Sequence, residues 1–142
     1  MDYKKLIEKR NLSGGDFGTE IGTRILEIGE GYAYGELPIK KSHKNLIGTV
    51  QAGVIFTFAD VVGGSATMAY GNYATTLNAT INFLNAASIS VEKLIGKARV
   101  VRNGKTIMVV DIDITDEKGT LIAATTFTFY NLRKKITLED EE

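Results

Sequence analysis

The chain has 142 residues, 44% of them hydrophobic, and its 17 basic side chains balance 17 acidic ones. This length predicts one domain over residues 1–142 with a single core, and the balanced charge argues against a general nucleic-acid-binding protein. Cysteine is absent and His43 is the only histidine, which excludes thiolate metal sites and histidine metal clusters within one chain. We expect no metal and no cofactor.

The first third of the chain predicts a short helix followed by two strands. Asp2–Lys9 is polar and amphipathic and has no apolar signal core, so we expect a cytoplasmic protein. Strands are predicted over Thr23–Ile28 and Gly31–Ile39, with a turn between them and Pro38 ending the second. A polar loop follows, in which His43 is expected to lie at the surface.

The run Asn45–Tyr70 contains the longest apolar stretch. Between residues 52 and 69 its only charged side chain is Asp60. Such a run predicts a helix buried in its own protein, which Gly71 and Asn72 then end. A transmembrane helix is the weaker interpretation, because of Gln51, Asp60 and the β-patterned chain on both sides.

Asp60 is the first candidate for chemistry, because desolvation should raise the pKa of a buried carboxyl group. Steps of four and three along the helix predict an open stripe of small and polar residues, namely Gly53, Thr57, Asp60, Gly64 and Thr67. The rest of the helix should face the core through Ile55, Phe56, Phe58, Ala59, Val62, Ala66 and Ala69. An alternative is that Asp60 only bonds a backbone amide and that the glycines only allow close packing.

Four more strands are predicted after the helix, over Thr75–Leu84, Ser90–Val101, Lys105–Thr115 and Thr120–Leu132. The Asn103–Gly104 pair is a strong hairpin signal. These elements predict an α+β fold in which a curved antiparallel sheet of about six strands wraps around one long helix. Its edges must be covered, and pairing with a second copy would cover one. The acidic tail, Thr137–Glu142, should be frayed.

From about Thr23 to Leu132 the chain resembles the hotdog-fold acyl-CoA thioesterases, in particular the phenylacetic-acid-pathway type. The residues that carry the resemblance are Asn45, the segment GTVQAG at 48–53 and Phe58-Ala59-Asp60, followed by TTLNATINFLNAA and the closing strands. The resemblance implies a hotdog fold and hydrolysis of acyl-CoA thioesters.

One departure from the family lies at the start of the helix, where Gln51-Ala52-Gly53 replaces His-Gly-Gly. Ala52 keeps its backbone N–H, whereas Gln51 can hydrogen-bond but cannot change charge near neutral pH. This departure motivates a second hypothesis, a non-catalytic hotdog protein that binds acyl-CoA or a lipid ligand. A hotdog dehydratase is a weaker third hypothesis, because no histidine lies near the helix start in sequence.

The resemblance also implies a mechanism. The free amides near Ala52 and Gly53 would form an oxyanion hole, and Asp60 would act as general base or nucleophile. Asn45 would position the water or the thioester, and Thr76 would support the water from beside Asp60. Alternatively Asn45 is only a loop residue and Thr76 an ordinary strand residue.

Gly53 and Asp60 are about 10 Å apart along the helix, at 1.5 Å per residue. One helix therefore cannot bring both to one carbonyl, and the family's dimers take the amides from one subunit and the acid from the other. We expect a homodimer with shared active sites, or a homotetramer as a dimer of such dimers, and no nucleic-acid or membrane partner.

Three basic residues near the predicted hairpin, Arg99, Arg102 and Lys105, could meet the phosphates of coenzyme A. Alternatively, these three residues are ordinary solvent-exposed charges at the end of a sheet, which explains their presence equally well. The identity of the acyl chain is left open, because the depth of a pocket depends on how the sheet and the helix pack.

Overall fold

The computed structural model describes residues 1–12 and 14–138. Its helices are α1 (Tyr3–Leu12), α2 (Phe17–Glu20) and α3 (Ala52–Met68), with a 3-10 turn at Lys41–His43. The strands are β1 (Arg24–Gly29), β2 (Tyr32–Pro38), β3 (Asn72–Phe83), β4 (Lys93–Asn103), β5 (Ile107–Asp116) and β6 (Leu121–Lys135). Most of the predicted acidic tail, residues 139–142, lies outside the described residues.

The six strands form one antiparallel sheet in the order β1-β2-β4-β5-β6-β3. Alternate residues of β5 face inward and are almost fully buried, namely Met108, Val110, Ile112 and Ile114. Helix α3 packs on this inner face. The predicted α+β hotdog architecture, a curved sheet around a central helix, is confirmed.

Helix α3 begins at Ala52 and ends at Met68, and Gly71 follows with a φ of 97°, a value that favours glycine. Its core-facing side chains are fully buried, namely Phe58, Ala59, Val62 and Ala66. Phe56 was predicted in the core but is 37% exposed, because it lies toward the side of α3 that the sheet leaves open. Within the described part of the chain, no helix is long and apolar enough to cross a bilayer.

The two adjacent glycines of α3 differ in how closely the sheet approaches them. A Cβ on Gly63 would lie 2.8 Å from Cδ1 of Ile112 and 3.3 Å from Cζ of Phe129. A Cβ on Gly64 would come no closer than 3.7 Å to Phe129. Close helix–sheet packing therefore requires glycine at position 63 but not at position 64.

The two edges of the sheet are treated differently. On β1, the side-chain amide of Asn11 takes the place of a neighbouring strand: its Nδ2 donates to the carbonyl of Ile25, and its Oδ1 accepts from the N–H of Ile25, both at 2.8 Å. On β3, residues 75–78 are exposed. Edge strand β3 is therefore our candidate for pairing with a further strand.

Several strand limits differ from the predicted ones. Strand β4 begins at Lys93 rather than Ser90, because Ser90 donates its N–H to Oγ of Ser88 in a local turn. The predicted hairpin is present, but its connection is three residues long and β5 begins at Ile107 rather than Lys105. Strand β6 continues past Leu132 to Lys135.

Candidate active site

Asp60 and Thr76 form the centre of the candidate site. Oγ1 of Thr76 donates a hydrogen bond of 2.5 Å to Oδ1 of Asp60. Thr76 pairs with Phe129 in the sheet and thus shares the inner face of β3 with the helix. Asp60 was predicted to be buried but is half-buried, because the stripe of α3 that carries it is open. Its partner is a hydroxyl group, not the backbone amide of the alternative hypothesis.

Two adjoining clefts run along this open stripe. The larger, about 530 Å³, lies between α3 and the N-terminal helices and is lined by Lys9, Arg10, Asp16, Phe17, Gly18, Phe56, Thr57, Asp60, Val61, Met68 and Tyr73. The smaller, about 280 Å³, continues toward β3 and Thr76. Asp60 lines both clefts, as do Arg10, Val61, Met68 and Tyr73. Thr57 and Gly64 each line one of them, whereas Thr67 of the predicted stripe is buried.

The start of α3 is open to solvent. The first hydrogen bonds of the helix run from the N–H groups of Val54 and Ile55 to the carbonyl of Gln51, at 3.0 and 3.3 Å. The N–H groups of Ala52 and Gly53 precede these and belong to the set that a helix leaves unbonded. Both residues are exposed, and a Cβ on Gly53 would meet nothing within 4 Å. There is therefore open space beside Gly53 at the start of the helix.

Asn45 organises the turn before α3. Its Oδ1 accepts from the N–H groups of Ile47 (3.1 Å) and Thr49 (3.0 Å), and its Nδ2 donates to Oγ1 of Thr49 at 2.8 Å. A side-chain amide has two N–H donors, so Asn45 keeps one for a ligand. Leu46 and Ile47 are strongly exposed at the tip of this turn, at 106% and 83%.

His43 was predicted to lie at the surface, and this prediction is wrong, because the side chain is 3% exposed. Its Nδ1 accepts from the N–H of Lys40 at 3.1 Å, which leaves the proton on Nε2 to donate to the carbonyl of Ile21 at 2.8 Å. Burial lowers the pKa of His43, although the bond to Ile21 opposes this effect. The His43 carbonyl accepts the N–H of Gln51 at 2.7 Å, so His43 supports the start of α3 through its backbone.

The three predicted phosphate-binding residues do not gather around Asp60. Arg99 lies opposite Asp111 in the sheet, and its Nη2 is 3.3 Å from Oδ2 of that residue, on the face away from the helix. Arg102 and Lys105 are exposed at the β4–β5 turn, and neither forms an ion pair with a described acidic residue.

Gln51 is exposed at the start of α3 and its side chain makes no capping bond.

Sequence reasoning missed the N-terminal wall of the larger cleft. Residues 9, 10 and 16–18 form this wall, whereas the sequence predicted a polar amphipathic helix over Asp2–Lys9 and no contact of this region with the candidate site. One signal was available: Leu6 and Ile7 lie on one side of the predicted helix, and Leu6 is fully buried. An apolar side on so short a helix predicts packing against the rest of the protein.

The sequence model of the thioesterase superfamily matches residues 47–123. An Archaeoglobus fulgidus protein with the name "Putative esterase" is 31% identical over 114 residues, which cover 80% of this chain and 73% of the archaeal one. The Escherichia coli PaaI protein from the phenylacetic acid degradation operon shares the fold, with a TM-score of 0.84 at 22% identity, covering 95% of this chain and 99% of its own.

A hypothetical thioesterase protein from Streptococcus pneumoniae, solved with coenzyme A, is 27% identical to this chain with a TM-score of 0.76. The match covers 81% of this chain and 89% of the streptococcal one. Variants of that protein with an aspartate or a threonine changed to alanine have also been solved, and the two positions are 16 residues apart. Asp60 and Thr76 have the same separation.

Proposed function

The chain belongs to the thioesterase superfamily, and from this premise we propose that it hydrolyses acyl-CoA thioesters to a free acid and coenzyme A. Thioester hydrolysis is the reaction of its family, and the acyl-CoA substrate is our inference. The observation that carries the proposal is the Asp60–Thr76 hydrogen bond at the wall of an open cleft. The streptococcal relative solved with coenzyme A supports it.

Asp60 would supply the base or the nucleophile. As a base, its carboxylate takes a proton from a water molecule as the water oxygen attacks the thioester carbonyl. The C–S bond then breaks, and the leaving sulfur takes that proton from Asp60 and departs as the thiol. As a nucleophile, the carboxylate attacks the thioester carbonyl, the C–S bond breaks and the thiolate leaves. Water then hydrolyses the resulting acyl anhydride to the free acid and the Asp60 carboxylate. In both routes the hydroxyl of Thr76 fixes the orientation of the carboxylate by donating to Oδ1, which leaves Oδ2 for the reaction.

The amides of Ala52 and Gly53 would stabilise the negative charge on the carbonyl oxygen. They are exposed at the positive end of the dipole of a 17-residue helix. Seven residues separate Gly53 from Asp60, about 10 Å of helix, so the amides that serve Asp60 come from a second copy. We propose a homodimer paired along the exposed edge β3, with two shared sites, and a homotetramer as a dimer of such dimers.

Asn45 and Gln51 would complete the half of the site that carries the amides. The free N–H of the Asn45 amide can hold the thioester or the water, while the other polar groups of its side chain keep the turn in shape. Gln51 is exposed beside Ala52 and offers a hydrogen bond where the family has histidine.

Arg102 and Lys105 are our candidates for the coenzyme A phosphates, because both are exposed and are not paired with a described acid. Arg99 could join them only by exchanging Asp111 for a phosphate, since the two side chains form an ion pair of 3.3 Å. The cytoplasmic location stays a prediction from the sequence.

Incubation of the pure protein with a panel of acyl-CoAs and a thiol reagent tests the proposal. We expect thiol release by the wild-type protein and a loss of about 100-fold or more in the Asp60→Asn variant, since a positioned base contributes about that much. Binding of acyl-CoA without release of thiol by the wild-type protein would favour the non-catalytic hypothesis instead. Wild-type turnover by a folded Asp60→Asn variant would remove Asp60 from the mechanism.

A further inference from the structure

One wall of the larger cleft is built by residues outside the family match at 47–123. Phe17 is the largest apolar side chain of this wall and is 66% exposed. Helix α2, which carries it, packs directly on α3: a Cβ on Gly18 would lie 2.5 Å from Cγ2 of Val61. Phe17 is thereby held beside the helix that carries Asp60.

Several contacts hold the wall in place. Leu6 anchors α1 in the core, and Asn11 is bonded to the backbone of β1. The carboxylate of Asp16 caps α2 by accepting the N–H of Thr19 at 2.8 Å and also pairs with Nη1 of Arg10 at 3.1 Å. A wall fixed from both sides keeps its shape when a ligand enters and can set the size of that ligand.

We propose that this cleft holds the acyl group of the substrate and that Phe17 sets the length of acyl chain that fits. The inference rests on the proposed thioesterase function, because it takes Asp60 as the reaction centre. Asp60 lines the cleft, so an acyl group whose carbonyl is at Asp60 extends along the same wall.

The chemistry of the lining favours an uncharged, apolar acyl group. Five side chains offer apolar surface, namely Phe17, Phe56, Val61, Met68 and Tyr73. The charges of Arg10 and Asp16 neutralise each other in their ion pair. A carboxylate on the acyl group would have to compete with Asp16 for Arg10. Each methylene group of an apolar acyl chain that is removed from water, in contrast, raises the binding constant about fourfold.

The test measures kcat/KM for a series of straight-chain acyl-CoAs with the wild-type protein and two opposed variants. Phe17→Ala lengthens the cleft and should move the preferred chain to a longer one. Phe17→Trp fills the cleft and should move it to a shorter one. Leu12→Ala is the matched control: Leu12 is an apolar residue of the same segment, 81% exposed and outside the lining of this cleft, and its change should leave the preference unaltered.

The same series is measured as dissociation constants in the Asp60→Asn background, where the ligands stay intact. Opposite shifts for Phe17→Ala and Phe17→Trp in both measurements support the assignment. An unchanged preference in both folded variants overturns it, even if the wild-type protein is an active thioesterase. If the wild-type protein releases no thiol, the proposed function fails, and the binding series decides whether acyl groups occupy the cleft.

Discussion

Asp60 and Thr76 are joined by a 2.5 Å hydrogen bond that links the central helix to the edge strand. Thr76 lies on β3, whose residues 75–78 are exposed and available for pairing with a second copy. The orientation of the candidate catalytic carboxylate therefore depends on the same strand that we propose as the dimer edge.

Thr76→Ala should lower kcat by about tenfold or more, because Asp60 loses the donor that fixes its orientation. Thr76→Ser keeps the hydroxyl group and should restore most of the rate. Thr76 is exposed, so both variants should unfold near the wild-type temperature. Equal rates for the alanine and serine variants, both well below wild type, would show that the methyl group matters and the hydrogen bond does not.

Gly63→Ala should destabilise the protein by about 1–3 kcal/mol, as overpacking of a core does. The new Cβ would lie 2.8 Å from Cδ1 of Ile112 and 3.3 Å from Cζ of Phe129, and both side chains are buried in the core. The adjacent change Gly64→Ala is the control and should stabilise by about 0.5–1 kcal/mol, because alanine is the better helix former. Urea denaturation measures both, and similar midpoints for the two variants would contradict the packing described for α3.

His43 should make the stability of the protein fall below neutral pH. Burial lowers the pKa of His43 in the folded protein below its ordinary value of 6.5, with a smaller lowering by Lys40 and an opposing effect of the Ile21 carbonyl. As the pH falls through 6.5 the unfolded chain binds a proton that the folded chain does not, so the free energy of unfolding decreases. The stabilisation is fully present above about pH 6.5.

Denaturation of the wild-type protein and of His43→Gln between pH 7.5 and 5 measures this effect. Glutamine offers one donor and one acceptor for Ile21 and Lys40 and has no charge to gain. The other titrating groups are common to both proteins, so the wild-type curve should be the steeper one on the acid side. Parallel curves would mean that His43 does not contribute to the pH dependence.

Gln51→His should keep or raise the hydrolytic rate. The Gln51 side chain is exposed and makes no capping bond, so a ring of similar size can replace it without strain. The substitution restores the residue that the family resemblance places here. Activity on the best acyl-CoA is the measurement, and a folded but inactive variant would indicate that the turn at Asn45 is arranged differently from that of the family.

Mixed dimers test the shared site. Asp60→Asn removes the acid. Asn45→Asp removes the free amide donor but keeps an oxygen acceptor for the N–H groups of Ile47 and Thr49, which both donate to Oδ1 of Asn45. Each variant alone should be inactive. A mixed dimer contains one site with both defects and one with neither, so activity should rise toward half the wild-type value per mixed dimer. Proven subunit exchange without recovery would place the amides and the acid in one subunit.

The sequence by itself determined the architecture and identified Asp60 as the main candidate for the catalytic residue. A long apolar run with one carboxylate predicts a buried helix with one polar position, and alternation with the Asn103–Gly104 turn is typical of antiparallel strands. The order of elements and the position of Asp60 on α3 follow from such local patterns. The resemblance added Asn45, Ala52 and Thr76 through their spacing.

Only the tertiary structure decided which side chains meet. The contact of Asp60 with Thr76 spans 16 residues and depends on β3 lying beside β6 at the far edge of the sheet, an order that hydrophobic periodicity does not encode. The burial of His43 depends on Ile21, which is 22 residues away in sequence. Phe17 became part of the cleft because α1 and α2 pack on the core through Leu6 and Gly18. Each of these contacts joins residues that are distant in sequence, and local sequence patterns do not predict which residues will be in contact.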